Sequence, residues 1–277
     1  MKVIKTDNTM RFKGRRLQSV GLAVVMAWAV MAALPAQAGQ PCEEQNMSAA
    51  QLRKGLDLAV RTVQALDATG AKVAVIARAG QDLSAYHLRW SHLGFVYRDE
   101  STKVWRIVHK LNQCGTDRSE LFRQGLADFF FDNPHRYQAA IVVLKPEVQT
   151  ALLPVLQDNL RIGMLHTPAY NMLAYPWATR YQQSNQWAIE TMAYAMDPAV
   201  NSRDKAQAWL RLKGYEPTTL NLDATTRLGA RVTRANVAFD DHPDARRYSG
   251  KIDTITVDSV FQFLRASGLG GEVIEVR

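Results

Sequence analysis

Ser91-His92-Leu93-Gly94-Phe95-Val96-Tyr97 and Val104-Trp105-Arg106-Ile107-Val108-His109 are two short apolar runs on either side of Arg98-Asp99-Glu100-Ser101-Thr102-Lys103. The runs have strand character, and the polar segment between them has no periodicity, as suits a hairpin loop. Symmetric pairing about that loop sets 92 opposite 109, 94 opposite 107 and 96 opposite 105. Opposed residues of an antiparallel pair share a face, with Cβ atoms roughly 5 Å apart. Two imidazoles are thus expected together on a largely apolar surface. Buried polar groups need partners, so His92 and His109 either serve a chemical site or are satisfied core histidines.

Outward from the hairpin, the chain begins with an export signal. Lys2, Lys5, Arg11, Lys13, Arg15 and Arg16 make a basic region, 20–34 is uncharged and apolar, and Ala36-Gln37-Ala38 supplies a small-x-small cleavage site. The expected organisation is a signal peptide over 1–38 and one α+β domain over 39–277. Met10 is an alternative start. A membrane anchor is the competing reading, but the apolar stretch is short of the ~20 residues of a spanning helix. No stable membrane span is expected after signal removal, and the localisation is periplasmic or secreted. The whole chain carries 34 basic and 26 acidic residues. Without the signal the ratio is 28 to 25, so the basic balance belongs mostly to the signal and no nucleic-acid partner follows. Cys42 and Cys114 are the only two cysteines. An even count in an exported chain points to a Cys42–Cys114 disulfide, with a nucleophilic Cys114 as the other reading.

Ser48-Ala49-Ala50-Gln51 has the form of a capping box. The helix it opens runs to about Asp67, with Leu52, Leu56, Ala59, Val60 and Val63 on one face. Strands are expected at 72–78, in the hairpin, at 139–144 and at 252–257. Helices are expected at 146–165, 184–196, 203–213, 225–235 and 258–266, and 124–131 reads as a short helix or an extended segment. This order describes an α+β domain with a small antiparallel sheet packed with helices.

Ser184, in Tyr181-Gln182-Gln183-Ser184-Asn185-Gln186-Trp187-Ala188-Ile189, stands at the start of a helix. A helix N-terminus presents unpaired N–H groups and a partial positive charge, which suits a nucleophile and equally a plain N-cap. Asp240-Asp241-His242 has metal-ligand residue types but reads as a solvated loop. No HExxH or CxxC spacing exists, so neither metal nor cofactor is expected.

Three segments, Val73-Ala74-Val75-Ile76-Ala77-Arg78-Ala79-Gly80-Gln81-Asp82-Leu83-Ser84, Trp90-Ser91-His92-Leu93-Gly94-Phe95-Val96-Tyr97 and Trp105-Arg106-Ile107-Val108-His109, resemble the circularly permuted NlpC-type papain-like hydrolases, lecithin retinol acyltransferase among them. The resemblance covers about 70–110 and 170–196. It implies a papain-like fold with His92 as general base, His109 as its orienting partner and Ser184 at the nucleophile position. That group uses cysteine there. A serine with a His–His pair would act on amide or ester bonds of envelope material. A scaffold without turnover would bind the same material. Asn171, Trp177 and Tyr181 are the expected ligand-contacting residues. The partner would be a cell-envelope component such as a peptidoglycan peptide, a lipid or a protein. The chain also resembles an uncharacterised family of exported proteobacterial proteins, through His109-Lys110-Leu111-Asn112-Gln113-Cys114-Gly115, Tyr170-Asn171-Met172-Leu173-Ala174-Tyr175-Pro176-Trp177 and the segment 234–243.

Overall fold

Runs of β-branched and small apolar residues build the centre of the molecule. The structure is a computed structural model that describes residues 47–131 and 134–277. The expected signal peptide over 1–38 lies outside the described residues. Strands β1 (Val73–Ala79), β2 (His92–Arg98), β3 (Trp105–Asn112), β4 (Ser119–Gly125), β5 (Arg136–Leu144) and β8 (Gly270–Val276) form one sheet in the order β4-β3-β2-β1-β5-β8. Every pairing in it is antiparallel. β6 (Thr218–Asn221) and β7 (Lys251–Thr254) pair separately. The protein is therefore a mixed α+β fold in which helices pack an antiparallel sheet.

Alternation along the strands sorts the core into two layers. On one face Val73, Val75, Leu93, Phe95, Val108 and Val142 meet α3 (Pro146–Gln157), α5 (Ser184–Met196), α6 (Arg203–Leu212) and α9 (Val257–Ala266). On the other, Ala74, Ile76, Val96, Ile107 and Ile141 meet α1 (Ala49–Thr69) and α2 (Leu126–Phe130). The central strands are thus covered on both sides, which explains why β1 is buried along its whole length.

Several elements differ from expectation. The Ser48–Gln51 capping box closes α1, but the buried stripe is Gly55, Leu58, Ala59, Thr62 and Leu66. Leu52, Leu56 and Val60 are exposed. Gly55 lets the buried face come close to the end of α2: a Cβ there would stand 2.9 Å from the Phe131 ring and 3.4 Å from Phe130 O. The helix expected over 146–165 is interrupted. Asp158 caps a separate α4 (Asn159–Gly163) by accepting from Leu160 and Arg161 N–H. β4, β6 and β8, together with α8 (Asp244–Tyr248), were not expected. α7 (Ala224–Thr233) buries no residue. The expected Cys42–Cys114 disulfide falls on Cys42, which lies outside the described residues.

Between α4 and α5, residues 164–183 run without a helix or strand. A segment this long in a packed domain needs other anchors. Lys110 reaches from β3 and donates to Thr167 O and Gln182 Oε1, both at 2.7 Å. Gln182 donates to Leu165 O and to Glu190 Oε2. Glu190 is fully buried and receives Arg203 Nε at 2.7 Å and Gln207 Nε2 at 2.9 Å. Arg203 also donates to Thr179 O and Ala178 O. This network pins the irregular segment to β3, α5 and α6.

The hairpin register is set by Phe95↔Val108, Val96↔Ile107, Tyr97↔Arg106 and Arg98↔Trp105. It is two residues from the symmetric expectation, so Gly94 lies level with His109. An even shift keeps every side chain on its face. Gly94 is required there, since a Cβ would stand 2.8 Å from His109 Cβ and 2.9 Å from Val108 O. Gly94→Ala is expected to cost about 1–3 kcal/mol through overpacking against backbone that cannot yield. Urea-unfolding midpoints of the two proteins check this; equal midpoints would show that the hairpin opens without strain.

Candidate functional site: a paired-histidine relay

The empty space over Gly94 is filled by imidazole. His92 Nε2 lies 2.9 Å from His109 Nδ1, and His109 Nε2 lies 2.8 Å from Gln124 Oε1 on β4. Both rings stand against Phe129 of α2, at 5.8 Å and 5.4 Å between centroids. Arg78, opposite His92 on β1, lies 4.9 Å over the same Phe129 ring and donates to Phe129 O. Burial holds the His92 imidazole well below the usual range, with Arg78 and His109 adding to the effect. Burial also lowers His109, to about 4, against the opposing bond from Gln124. Both rings are therefore neutral near pH 7.

Neutral rings and an amide acceptor fix the direction of the chain of bonds. Gln124 Oε1 can only accept, so His109 carries its proton on Nε2 and presents a lone pair at Nδ1. His92 then donates from Nε2, leaving its own Nδ1 as an acceptor. That atom has no protein partner among the described residues, and His92 is partly exposed at the start of β2. The arrangement can accept a hydrogen bond, or a proton, from a group brought to His92.

Ser184 is placed elsewhere. It opens α5, which packs on the sheet face opposite the relay. It is buried, and its hydroxyl lies 3.5 Å from Tyr170 Oη; no hydrogen bond joins it to either imidazole. Gln183 holds the N-cap position without a side-chain bond. The neighbouring Asn185 accepts from Leu93 N–H and donates to Ile255 O, which ties the helix start to β2.

The three expected contact residues are not gathered at the relay. Asn171 is fully buried; it donates to Ala238 O and accepts from the N–H groups of Leu173 and Ala238, clamping two loops together. Trp177 lies under the Arg211 guanidinium at 4.4 Å and edge-on to Tyr215. Tyr181 donates to Asp240 Oδ2 at 3.5 Å and stacks with Arg180. The Asp241-His242 segment is not a solvated loop. His242 is buried, with Nδ1 3.0 Å from Asp241 Oδ1 and Nε2 2.9 Å from Asp253 O. Both ring nitrogens are engaged within the fold. Among the described residues, no three His, Cys, Asp or Glu side chains are grouped to hold a metal ion. Nor is any helix among them long and apolar enough to cross a membrane.

Sequence reasoning missed Gln124. Its signal was there: after Gly115, Leu121, Phe122 and Arg123 alternate poorly, but a third strand after a hairpin is the simplest continuation of a meander, and Gln124 falls on the His109 face of it.

The fold defines a mixed α+β protein in which helices pack an antiparallel sheet. The chain belongs to the family described as "Uncharacterized protein conserved in bacteria (DUF2145)", whose model matches residues 65–264. That span runs from the end of α1 into α9, so it contains both the relay and Ser184. No curated protein and no solved structure matches the chain.

Proposed function

We propose that this protein is an exported cell-envelope binding protein that holds its ligand at the His92–His109 relay and makes no covalent bond through Ser184. The observation that carries this is the separation of Ser184 from the imidazoles by the thickness of the sheet, with its hydroxyl facing Tyr170. A serine nucleophile needs a base aligned with it, and none is within reach of this one. The scaffold is read as a permuted NlpC-type fold whose histidine pair is retained. The ligand is an envelope component: a peptidoglycan peptide, a lipid or a protein.

A serine-directed fluorophosphonate probe tests the reading. The wild-type protein is expected to remain unlabelled, and the Ser184→Cys thiol to react no faster than an ordinary buried thiol. Labelling of wild type that is abolished by both Ser184→Ala and His92→Ala would instead establish a serine hydrolase.

A second reading is favoured by the relay itself. The His92 lone pair would serve as a general base for a hydroxyl or thiol brought within hydrogen-bond reach, in hydrolysis or acyl transfer at amide or ester bonds.

A further inference from the structure

We infer that Gln124 sets the polarity of the site: by accepting from His109 it makes His92 a hydrogen-bond acceptor, so that the ligand group recognised there is a donor. The inference rests on the relay being the ligand site, but its physical core, the tautomers of the two rings, is independent of any ligand.

The argument is one of proton counting. The three groups Gln124, His109 and His92 are linked in series by contacts of 2.8 and 2.9 Å. Two neutral imidazoles bring two ring protons, and two contacts need two protons. Both contacts hold a ring proton only if both protons point toward Gln124; with both pointing away, the His92–His109 contact is filled and the Gln124 contact is left with two facing lone pairs. The amide oxygen at His109 Nε2 selects the first arrangement, in which His92 Nδ1 is bare. The second arrangement, with a proton on His92 Nδ1, would present a donor to the ligand. The two states bind opposite chemistries: a hydroxyl, amide N–H or ammonium in the first, a carbonyl or carboxylate in the second. Arg78 and Phe129 close the other sides of the pair, and burial suppresses the doubly protonated cation that would erase the distinction. Gln124 is thus a positioning residue acting through His109. It stands on the edge strand β4 and is partly exposed, so it can be changed without opening the core.

Long-range nitrogen–proton NMR of the imidazoles, at pH 7 and without ligand, reads the tautomers directly. The wild-type protein is expected to show Nε2–H on both His92 and His109. In Gln124→Leu the acceptor is gone, and His92 is expected to shift largely to Nδ1–H as His109 turns its proton inward. Gln124→Glu restores an acceptor; it should recover the wild-type tautomers and raise the His109 pKa above about 4. Wild-type rings in the Nδ1–H form would overturn the inference, as would tautomers unchanged in Gln124→Leu. Should Gln124→Leu not fold, a Gln124→Glu protein whose His109 titrates as in wild type would overturn it equally. Correct tautomers together with fluorophosphonate labelling at Ser184 would keep this inference and remove the binding reading, so the two fail separately.

Discussion

Arg203→Ala is expected to destabilise the protein by about 3–5 kcal/mol, because it leaves a buried carboxylate without its counter-charge. Glu190 is fully buried on α5 and receives the Arg203 fork through both Nε and Nη2. Its other partners, Gln182 and Gln207, are neutral and cannot compensate the charge. Arg203 also holds Thr179 O and Ala178 O, so the same change releases the segment before α5. Arg203→Lys keeps the charge and loses the fork, and it should fall between wild type and Arg203→Ala. Urea-unfolding midpoints of the three proteins check the order. A loss below about 1 kcal/mol for Arg203→Ala would mean that water reaches Glu190 and that the network does not anchor the segment.

The second large effect is a pH dependence centred on Lys110. Burial and the nearby Arg203 push its ammonium down to about 6, against the pull of Glu190. An unfolded lysine titrates near 10.4. Between those two values the unfolded chain binds more protons than the folded one, so stability rises with pH across the window and is lost as pH falls toward 6. His109 and His166 are both lowered to about 4 and His92 well below its usual range. Their windows lie below the ordinary imidazole value, leaving pH 7 to 9 to Lys110. Over those two units the gain is expected to be about 2–3 kcal/mol. Lys110→Met should flatten the slope. The groups facing Lys110 are Glu190 from α5, Arg203 from α6 and His166 from the irregular segment. A wild-type protein whose unfolding free energy is level from pH 7 to 9 would show that the ammonium stays charged through its bonds to Thr167 and Gln182.

Both predictions concern groups whose importance was invisible along the chain. Lys110, Gln182, Glu190, Arg203 and Gln207 are separated by up to about a hundred positions and carry no spacing pattern. Each is an ordinary surface residue type, and burial on one site only becomes apparent when β3, α5 and α6 are stacked. Ser184 shows the same limit from the other side. Its place at the start of α5 was legible, since Ser184 to Met196 reads as a helix and is one. The side of the sheet on which that helix would lie was not, because helical periodicity does not say which strand face receives it.

What the sequence by itself determined is local and periodic. Alternation and β-branching mark β1, β2, β3 and β5; the Ser48–Gln51 capping box marks the start of α1; the spacing of His92 and His109 places both on one face. That last point survived a two-residue error in register because the side-chain period of a strand is two. Only the tertiary structure decided the rest. It chose the buried stripe of α1, where Gly55 comes close to Phe131, and added β8 as an edge strand built from a Gly-Gly start that carries little local preference. It brought Gln124 to His109, and it set Ser184 apart from both imidazoles. These are contacts between segments distant in the chain, fixed by which faces can approach closely and which polar groups must find partners once water is excluded.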